Sequence, residues 1–232
     1  MASSTTSIGV QARLMEDVLE HLPVSSTTAH RKGRSIYGPQ HLSKNFYLVV
    51  AGKVGISQIA ENGKEVLLEI VRHDEVFGES ALLGGDRVAE RATAVEESTV
   101  MTWAASDMED LVTKRPRLAV ALLQVLAQRN AEFTRRIESF SIDTVERRLA
   151  RSLLRFSERL GTLEEDGSIR MMPLTHVMLS RYVGTSREIV TFYMNRFRKQ
   201  GHVSYSQRGI ILYRDTLKTV LEDCGSGSAG PT

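Results

Sequence analysis

The sequence has little cysteine and no long apolar run, and both absences exclude classes of protein. Cys224 is its one cysteine, so the chain cannot form an internal disulfide or a cysteine-ligated zinc or iron–sulfur site. The longest apolar stretch, residues 118–127, is interrupted by Gln124 and is too short to span a bilayer. The N-terminus also lacks the basic and apolar segments of a secretory signal. These features predict a cytoplasmic protein that does not enter a membrane.

Patterns of common catalytic and metal sites are also missing. There is no phosphate-binding loop and no HExxH motif, and the six histidines are dispersed without metal-ligand spacing. Residues 184–186 (GTS) continue into Arg-Glu rather than another glycine, so they do not form a nucleophile elbow. We therefore expect no catalytic residue, no bound metal and no enzymatic activity.

Charge is spread unevenly over an otherwise ordinary globular composition. The chain is 41% hydrophobic and 25% charged, with a net charge of +2. Residues 143–232 carry 14 basic and 10 acidic side chains, whereas residues 1–142 carry 16 and 18. Residues 181–208 alone hold six basic residues and one acid. Such an excess is suited to phosphate backbones, although a short charged stretch is also common on solvated surfaces.

The N-terminal half has the pattern of one short helix followed by strands. Residues 11–22 place leucine and valine on one stripe, which predicts an amphipathic helix. Between residues 34 and 101, turn signals separate short apolar runs at roughly ten-residue intervals. This spacing is typical of a small antiparallel barrel or sandwich. The runs that we expect to form strands are YLVVAG, KVGISQI, KEVLLEIV and STVMTW.

A long helix is expected after residue 115. Ser106 is a candidate N-cap for a first helix, and Pro116 suits the first turn of a second one. Along the second helix, apolar residues recur at spacings of three and four, with one polar member, which is typical of a two-stranded coiled coil. The alternative is that this stripe packs on its own domain. The predicted dimer seam is Leu123, Leu126, Asn130, Phe133, Ile137 and Phe140.

The C-terminal part has the pattern of a winged helix-turn-helix. After a helix over 143–160 and an acidic loop over 161–168, Thr175 caps a short helix that ends at Val183. A three-residue turn leads to a basic helix from Ser186 to Gln200, and a hairpin follows over 202–213. We therefore expect an α+β fold. Its parts are an N-terminal β domain (1–115), a dimerisation helix (116–142), a winged helix-turn-helix (143–224) and a disordered tail (225–232).

The basic helix has the features of a DNA-recognition helix. Arg187 and Glu188 lie in its first turn, where arginine can read guanine O6 and N7 and a carboxylate can accept from cytosine N4. The alternative for Glu188 is a favourable interaction with the helix dipole. Helical spacing directs Ile189, Val190, Tyr193, Met194 and Phe197 inward. The residues left towards solvent are Arg187, Glu188, Thr191, Asn195 and Arg198.

Over residues 20–222 the chain resembles the catabolite activator / fumarate-nitrate regulator (CRP/FNR) superfamily of bacterial transcription factors. Three segments carry the resemblance in the family's order: FYLVVAGKVGIS with ENGKEVLLEIV, then FGESALLGG, then VGTSREIVTFYMNRFRKQG. The resemblance implies a cyclic-nucleotide-binding-like β-roll, a dimerisation helix and a winged helix that binds DNA.

Several DNA contacts follow from the resemblance. Arg187 and Glu188 fall on the family's base-reading pair, and Thr175, His176 and Ser186 fall on backbone-contacting positions. The activator subgroup has an arginine where this chain has Phe192, so only van der Waals contact, for instance with a thymine methyl, is expected there. Further candidate DNA contacts are Thr191 on the helix and Ser206 and Arg208 in the wing.

A candidate effector site also follows from the resemblance, but it departs from the family's pattern. Gly78 and Glu79, followed by Ser80, match the pair that holds ribose and phosphate in relatives that bind cyclic nucleotides. Neither Arg87 nor Arg91 precedes the serine or threonine that the family uses beside its phosphate-binding arginine. Cyclic AMP, another anion such as 2-oxoglutarate and the absence of any ligand therefore all remain open. Residues that can close the site across the subunit boundary are Asn130 and Thr134.

Taken together, the residues predict a cytoplasmic homodimeric transcription regulator. It would bind double-stranded DNA at a palindromic operator, respond to a small effector and contact RNA polymerase. The first alternative is an effector-independent regulator with a vestigial pocket. The second is a cyclic-nucleotide sensor subunit that does not bind DNA.

Overall fold

The structure, a computed structural model, describes residues 17–39, 44–83, 89–206 and 209–222. It is an α+β fold with a β-rich N-terminal part, a long helix and a helical C-terminal part, as the sequence predicts. Of the helix expected over residues 11–22, the structure describes only the end, where Leu19–His21 forms a 3₁₀ turn. The predicted tail over 225–232 lies outside the described residues.

The N-terminal part is a β-roll of two antiparallel four-stranded sheets. One sheet has the order β1-β8-β3-β6 and the other has the order β2-β7-β4-β5. All four runs that the sequence marks as strands are present, as β3, β4, β5 and β8. The strands are β1 (Ser26–His30), β2 (Ser35–Tyr37), β3 (Asn45–Ala51), β4 (Lys53–Ile59), β5 (Glu65–Arg72), β6 (Val76–Phe77), β7 (Glu90–Ala94) and β8 (Ser98–Ala104).

The interior of the roll is filled by the inward side chains of these strands. Tyr37, Tyr47 and Phe77 stack on one another, with ring centroids 4.9 to 6.2 Å apart. The β3–β4 turn needs glycine because Gly52 has φ +81°, and a Cβ there would lie 2.2 Å from the carbonyl oxygen of Glu97. The stack is enclosed by buried aliphatic residues, among them Val49, Val54, Ile56, Val71, Ala92 and Val100.

Three helices follow the roll: α1 (Ala105–Lys114), α2 (Pro116–Ile142) and α3 (Val145–Leu160). The expectation that Ser106 caps α1 is wrong, because α1 begins at Ala105 and its N-cap, Ala104, has no side chain that can accept a hydrogen bond. Pro116 opens α2, as predicted. In the first turns of α2, the side chains of Leu118 and Ala121 are buried in a cluster that also contains Trp103 and Met108. The start of α2 is thereby fixed to the roll.

The C-terminal part combines helices with a third antiparallel sheet in the order β11-β12-β10-β9. The acidic segment expected to be a loop contains β9, because Ile169 and Leu163 pair across a turn at Gly167. Sequence patterns also did not indicate α6, whose Leu217 is fully buried. The elements are β9 (Gly161–Leu163), β10 (Ile169–Met171), α4 (His176–Val183), α5 (Arg187–Lys199), β11 (Val203–Ser206), β12 (Gly209–Leu212) and α6 (Arg214–Glu222).

The β-roll and the C-terminal part share one hydrophobic core. Leu67 and Ile70, on the outer face of β5, belong to the same buried cluster as the interior of the C-terminal part. Arg136 of α2 reinforces this contact by donating to the carbonyl oxygens of Leu67 and Tyr182, at 2.9 and 2.6 Å. Within the described residues, no helix is both long and apolar enough to cross a bilayer.

Candidate nucleic-acid interface and ligand site

Capping interactions build the helix-turn-helix. The Thr175 hydroxyl accepts from the backbone N–H of Met178 at the start of α4, and the Ser186 hydroxyl accepts from that of Ile189 at the start of α5. Gly184 ends α4 in the left-handed conformation, with φ +71°. A Cβ at this position would lie 2.8 Å from the ring of Phe140. The turn therefore requires glycine for its backbone conformation and for its approach to the end of α2.

The buried and exposed faces of α5 separate as the spacing predicts. Val190, Met194 and Phe197 are buried in the C-terminal core. Arg187 and Glu188 are exposed in the first turn, and the Phe192 side chain, in the next turn, is 47% exposed. The first turns of α5 therefore present an arginine, a carboxylate and an aromatic ring to solvent, as a helix that enters the major groove must do.

Hydrogen bonds prepare the side chains around this first turn. The pKa of Glu188 lies below its usual value because its carboxylate accepts from its own backbone N–H and from the Ser186 hydroxyl, and because Arg187 is near. Glu188 is thus ionised and caps its own helix in the free protein. Thr191 donates to the carbonyl oxygen of Arg187 and lies 2.8 Å from His176 Nδ1. The only hydroxyl proton of Thr191 is used in the bond to Arg187. We therefore infer that His176 Nδ1 donates to the Thr191 hydroxyl oxygen.

The wing is connected to the recognition helix. The Tyr205 hydroxyl of β11 donates to Asn195 Oδ1 at 2.9 Å, and the Arg198 guanidinium lies 5.3 Å from the centre of the Tyr205 ring. Burial lowers the pKa of His176, and the charge of Arg187 lowers it further, so the imidazole is favoured in its neutral form. Ser206 ends β11, and Arg208 lies outside the described residues.

In the roll, Gly78 and Glu79 lie next to the aromatic stack. Gly78 has φ +89°, and a Cβ there would lie 2.8 Å from the carbonyl oxygen of Asn45 and from the Tyr47 ring. Glycine at this position is therefore required by the fold, whether or not a ligand binds. Glu79 begins the 3₁₀ turn Glu79–Leu83 that follows.

The carboxylate of Glu79 already has a partner, an arginine that the sequence reasoning missed. Arg129 of α2 binds Glu79 Oε1 through Nη1 at 2.5 Å and Glu69 Oε2 through Nε at 3.0 Å, and it also donates to the carbonyl oxygen of Val76. Its side chain is only 11% exposed. Arg129 lies seven residues before Arg136 on the face of α2 that meets the roll. This helical spacing is the signal that would have identified it.

Ser80 contacts a second carboxyl group, that of the half-buried Glu90 of β7. The Ser80 and Tyr37 hydroxyls both donate to Glu90 Oε1, at 3.1 and 2.5 Å. Burial raises the pKa of Glu90, while the hydrogen bond from Tyr37 opposes that rise. Burial and the neighbouring charge of Glu90 also raise the pKa of Tyr37. The inner face of the roll therefore carries a second carboxyl group beside Glu79, and burial favours its protonated form.

The candidate effector residues Arg91, Asn130 and Thr134, which the structure describes, do not meet Glu79 in a single chain. Arg91 follows Glu90 on the opposite face of β7 and lies 3.8 Å from the carboxylate of Glu65. Arg87 lies outside the described residues. Asn130 and Thr134 are exposed on α2, where the Thr134 hydroxyl donates to the carbonyl oxygen of Asn130. A role for Asn130 or Thr134 thus requires a second subunit.

The predicted seam of α2 is uncovered in the single chain. Its apolar members are all exposed, up to 64% for Leu123 and 66% for Ile137. A neighbouring face of the helix holds Arg129 and Arg136, which bind the chain's own roll. Phe140 ends the seam against Gly184. Apart from Phe140, the apolar stripe thus stays exposed in the described part of the chain, whereas the alternative left open by the sequence would bury it on its own domain.

Comparisons with known proteins agree with this architecture. The sequence matches the cyclic nucleotide-binding domain family over residues 28–115 and the Crp-like helix-turn-helix domain family over residues 147–220. The transcriptional regulator SdrP of Thermus thermophilus is 33% identical over 185 residues, which are 78% of this chain and 86% of that protein. The CRP-like cAMP-activated global transcriptional regulator of Mycobacterium tuberculosis is 26% identical over 182 residues, which are 78% of this chain and 81% of that protein.

Solved structures give the same assignment. The crystal structure of a CRP/FNR-family transcriptional regulator from Thermus thermophilus matches with a TM-score of 0.64 and 27% identity. The match covers 86% of this chain and 100% of the other. The expected fold and the absence of enzymatic function are thus confirmed. The chain belongs to the CRP/FNR family of DNA-binding transcription regulators, which is not a family of enzymes.

Proposed function

We propose that the protein acts as a homodimer that binds a two-fold symmetric operator and is modulated by a small effector. The observation that carries this proposal is the exposed first turn of α5, with Arg187 and Glu188 free to enter a groove. Pairing of two chains along the uncovered seam of α2 would place two such helices on one duplex. Half-sites one helical turn apart require a spacing of about 34–36 Å between them.

Each half-site is read by the first turns of α5. Arg187 binds guanine O6 and N7 through its guanidinium, and Glu188 leaves its capping position to accept from cytosine N4. Phe192 contacts a thymine methyl. The surrounding polar groups hold the DNA backbone, which orients the helix but does not select sequence. These backbone contacts are Thr175, His176, Ser186, Thr191, Ser206 and Arg208.

The effector site is the region around Glu79, and cyclic AMP is the first ligand to test because the Mycobacterium tuberculosis relative is described as cAMP-activated. A nucleotide that hydrogen-bonds to Glu79 must either share this carboxylate with Arg129 or displace Arg129 from it. Because Arg129 lies on α2, binding would be transmitted to the dimer helix. Asn130 and Thr134 of the partner would complete the site. The regulator would act in the cytoplasm, where it meets DNA and RNA polymerase.

Selection from random duplexes tests the DNA part of the proposal. Full-length protein should enrich a palindrome with one G·C step in each half-site, and sedimentation velocity should show a dimer. If no duplex is enriched, the protein is instead a sensor subunit without DNA binding. A non-palindromic site bound by a monomer would also overturn the proposal.

Calorimetric titration with cyclic AMP tests the effector part. We expect saturable binding by the wild-type dimer and at least tenfold weaker binding by Glu79→Gln, because the ribose loses a charged acceptor. The matched control is Glu61→Gln, an exposed acid in the β4–β5 turn, which should bind as the wild type does. No heat for cyclic AMP, together with an enriched palindrome, would favour an effector-independent regulator.

A further inference from the structure

A cleft of about 420 Å³ lies where α2 ends and α3 turns back alongside it. It is closed on its other sides by Tyr182 of α4 and Leu221 of α6. The α2 positions that line it include Arg135, Arg136 and Ser139. With 3.6 residues per turn, these positions lie on a different face from the dimer seam. The cleft is therefore separate from the region around Glu79 and shares only Phe140 with the predicted dimer seam.

The walls of the cleft hold more arginine than its carboxylates neutralise. Six arginines and four acids line it. Three of the arginines are in ion pairs: Arg151 with Asp143, Arg155 with Glu132, and Arg159 with Glu69 and Glu75 of the roll. Another lining acid, Glu158, pairs with Arg214 outside the cleft. Within the described residues, the lining arginines without a carboxylate partner are Arg135, which is exposed, and Arg136 and Arg148, which are half-buried.

Arg136 and Arg148 have buried donors without acceptors. Arg136 binds only main-chain carbonyl oxygens, and Arg148 Nη1 reaches the carbonyl oxygen of Asp143 at 3.5 Å. The Nε atom of each is buried and has no hydrogen-bond partner among the described residues. Both guanidinium groups lie against the Phe140 ring, at 5.5 and 5.2 Å from its centre. Burial lowers the pKa of Arg136, which agrees with a charge that lacks a counter-ion.

This arrangement matches the chemistry of an organic anion. A buried charge and a buried donor without partners each cost free energy, which an anion between the two arginines would offset. Guanidinium groups bind carboxylates and phosphates through paired hydrogen bonds. Phe140, Leu154 and Tyr182 supply apolar surface for the rest of the molecule. We propose that the cleft binds a carboxylate- or phosphate-bearing small molecule with an aromatic or apolar body, held by Arg136 and Arg148.

The position of the cleft gives this ligand a regulatory role. It lies at the junction of α2 and α3, and Phe140 also touches Gly184 in the helix-turn-helix. A ligand that fixes Phe140 would therefore fix the recognition helix relative to the dimer helix. This consequence rests on the proposed DNA binding, whereas ligand binding itself does not and can be measured without DNA.

Isothermal titration of the full-length protein tests the site with three probes of similar size: 1-naphthyl phosphate, 1-naphthoate and neutral 1-naphthol. At least one anion should bind at least tenfold more tightly than 1-naphthol, and the two anions distinguish a phosphate site from a carboxylate site. Arg148→Gln should weaken that anion at least tenfold. Arg34→Gln, which removes one charge from an exposed loop of the roll, should leave the affinity unchanged.

A second variant keeps the test decisive if Arg148→Gln does not fold. Arg148→Lys keeps the charge but loses the paired hydrogen bonds, so anion affinity should fall about threefold or more while the protein stays folded. Glu61→Gln, at an exposed position of the roll, should leave the affinity unchanged. Equal affinity for anions and naphthol, or wild-type affinity in both Arg148 variants, would overturn the proposal. Loss of operator selection with anion binding intact would instead refute only the proposed DNA function.

Discussion

At the scale of single residues, the base-reading pair is held ready by local hydrogen bonds. Glu188 is ionised and satisfied by its own backbone N–H and Ser186, so it can exchange these donors for cytosine N4 at little cost. Arg187 is exposed, and its side chain makes no hydrogen bond or ion pair in the part of the chain that the structure describes. It therefore loses few interactions of its own on entering the groove.

Arg187→Ala is expected to weaken binding to the selected operator by about 1–3 kcal/mol and to relax specificity at one base pair. The reason is the loss of the bidentate contact to guanine. Electrophoretic mobility shift with the operator and with a duplex changed at that G·C step measures both effects. Lys199→Ala, in the exposed last turn of α5, is the charge-matched control and should weaken both duplexes equally. If Arg187→Ala weakened binding to both duplexes by the same factor, Arg187 would contact only phosphate.

At the scale of elements, the junction of α2 and α3 depends on one buried acid. Asp143 follows α2, and its side chain is 3% exposed. It accepts from the Ser139 hydroxyl at 2.6 Å and from Arg151 Nε at 2.7 Å. Burial alone would raise the pKa of Asp143, but these hydrogen bonds and the nearby arginines lower it. The junction is thus stabilised by an ionised carboxylate.

Asp143→Asn should lower the free energy of unfolding by about 1–3 kcal/mol at pH 7, because charged hydrogen bonds are lost. A carboxyl group whose folded pKa is lowered stabilises the protein above its unfolded pKa, near 3.8. This stabilisation is lost as the pH falls through the folded value. Urea unfolding at pH 7 and near pH 3 should therefore show a difference between variant and wild type that shrinks in acid. A constant difference would mean that Asp143 acts through packing alone.

The predicted dimer seam of α2 can also be tested at the scale of elements. Ile137→Asp should turn the dimer into a monomer in sedimentation velocity, because it places a charge in an apolar interface. Val120 is also exposed, but helical spacing places it off the seam, so Val120→Asp should remain dimeric. An Ile137→Asp protein that sediments like the wild type would exclude this face as the interface.

At the scale of the whole molecule, the roll and the DNA-binding part should unfold together. Leu67 and Ile70 of the roll share the core of the C-terminal part, so neither part buries its apolar surface alone. Calorimetry should show one transition for the wild type. Leu67→Ala should lower the free energy of unfolding by about 2–5 kcal/mol. Val66→Ala, at the exposed neighbouring position, should change it by less than about 0.5 kcal/mol. Two separate wild-type transitions would contradict this coupling.

Local patterns in the sequence were sufficient for much of the fold. The caps Thr175 and Ser186, the short turn over 184–186 and the inward face of α5 depend on residues within a few positions of one another, and the structure confirms them. The short strands β6 and β9 and the start of α1 could not be predicted in this way. Their boundaries depend on pairing with distant residues, such as Val76 with Leu48.

The sequence by itself determined the order of roll, long helix and winged helix, and the chemistry of the recognition helix, because periodicity and capping act over a few residues. Only the tertiary structure decided that Glu79 binds Arg129, that Glu90 faces the inside of the roll, and that Arg136 and Arg148 border a cleft. These groups are far apart in the chain, and their partners depend on how separate elements pack. Long-range burial and charge pairing therefore set the ligand chemistry that the sequence left open.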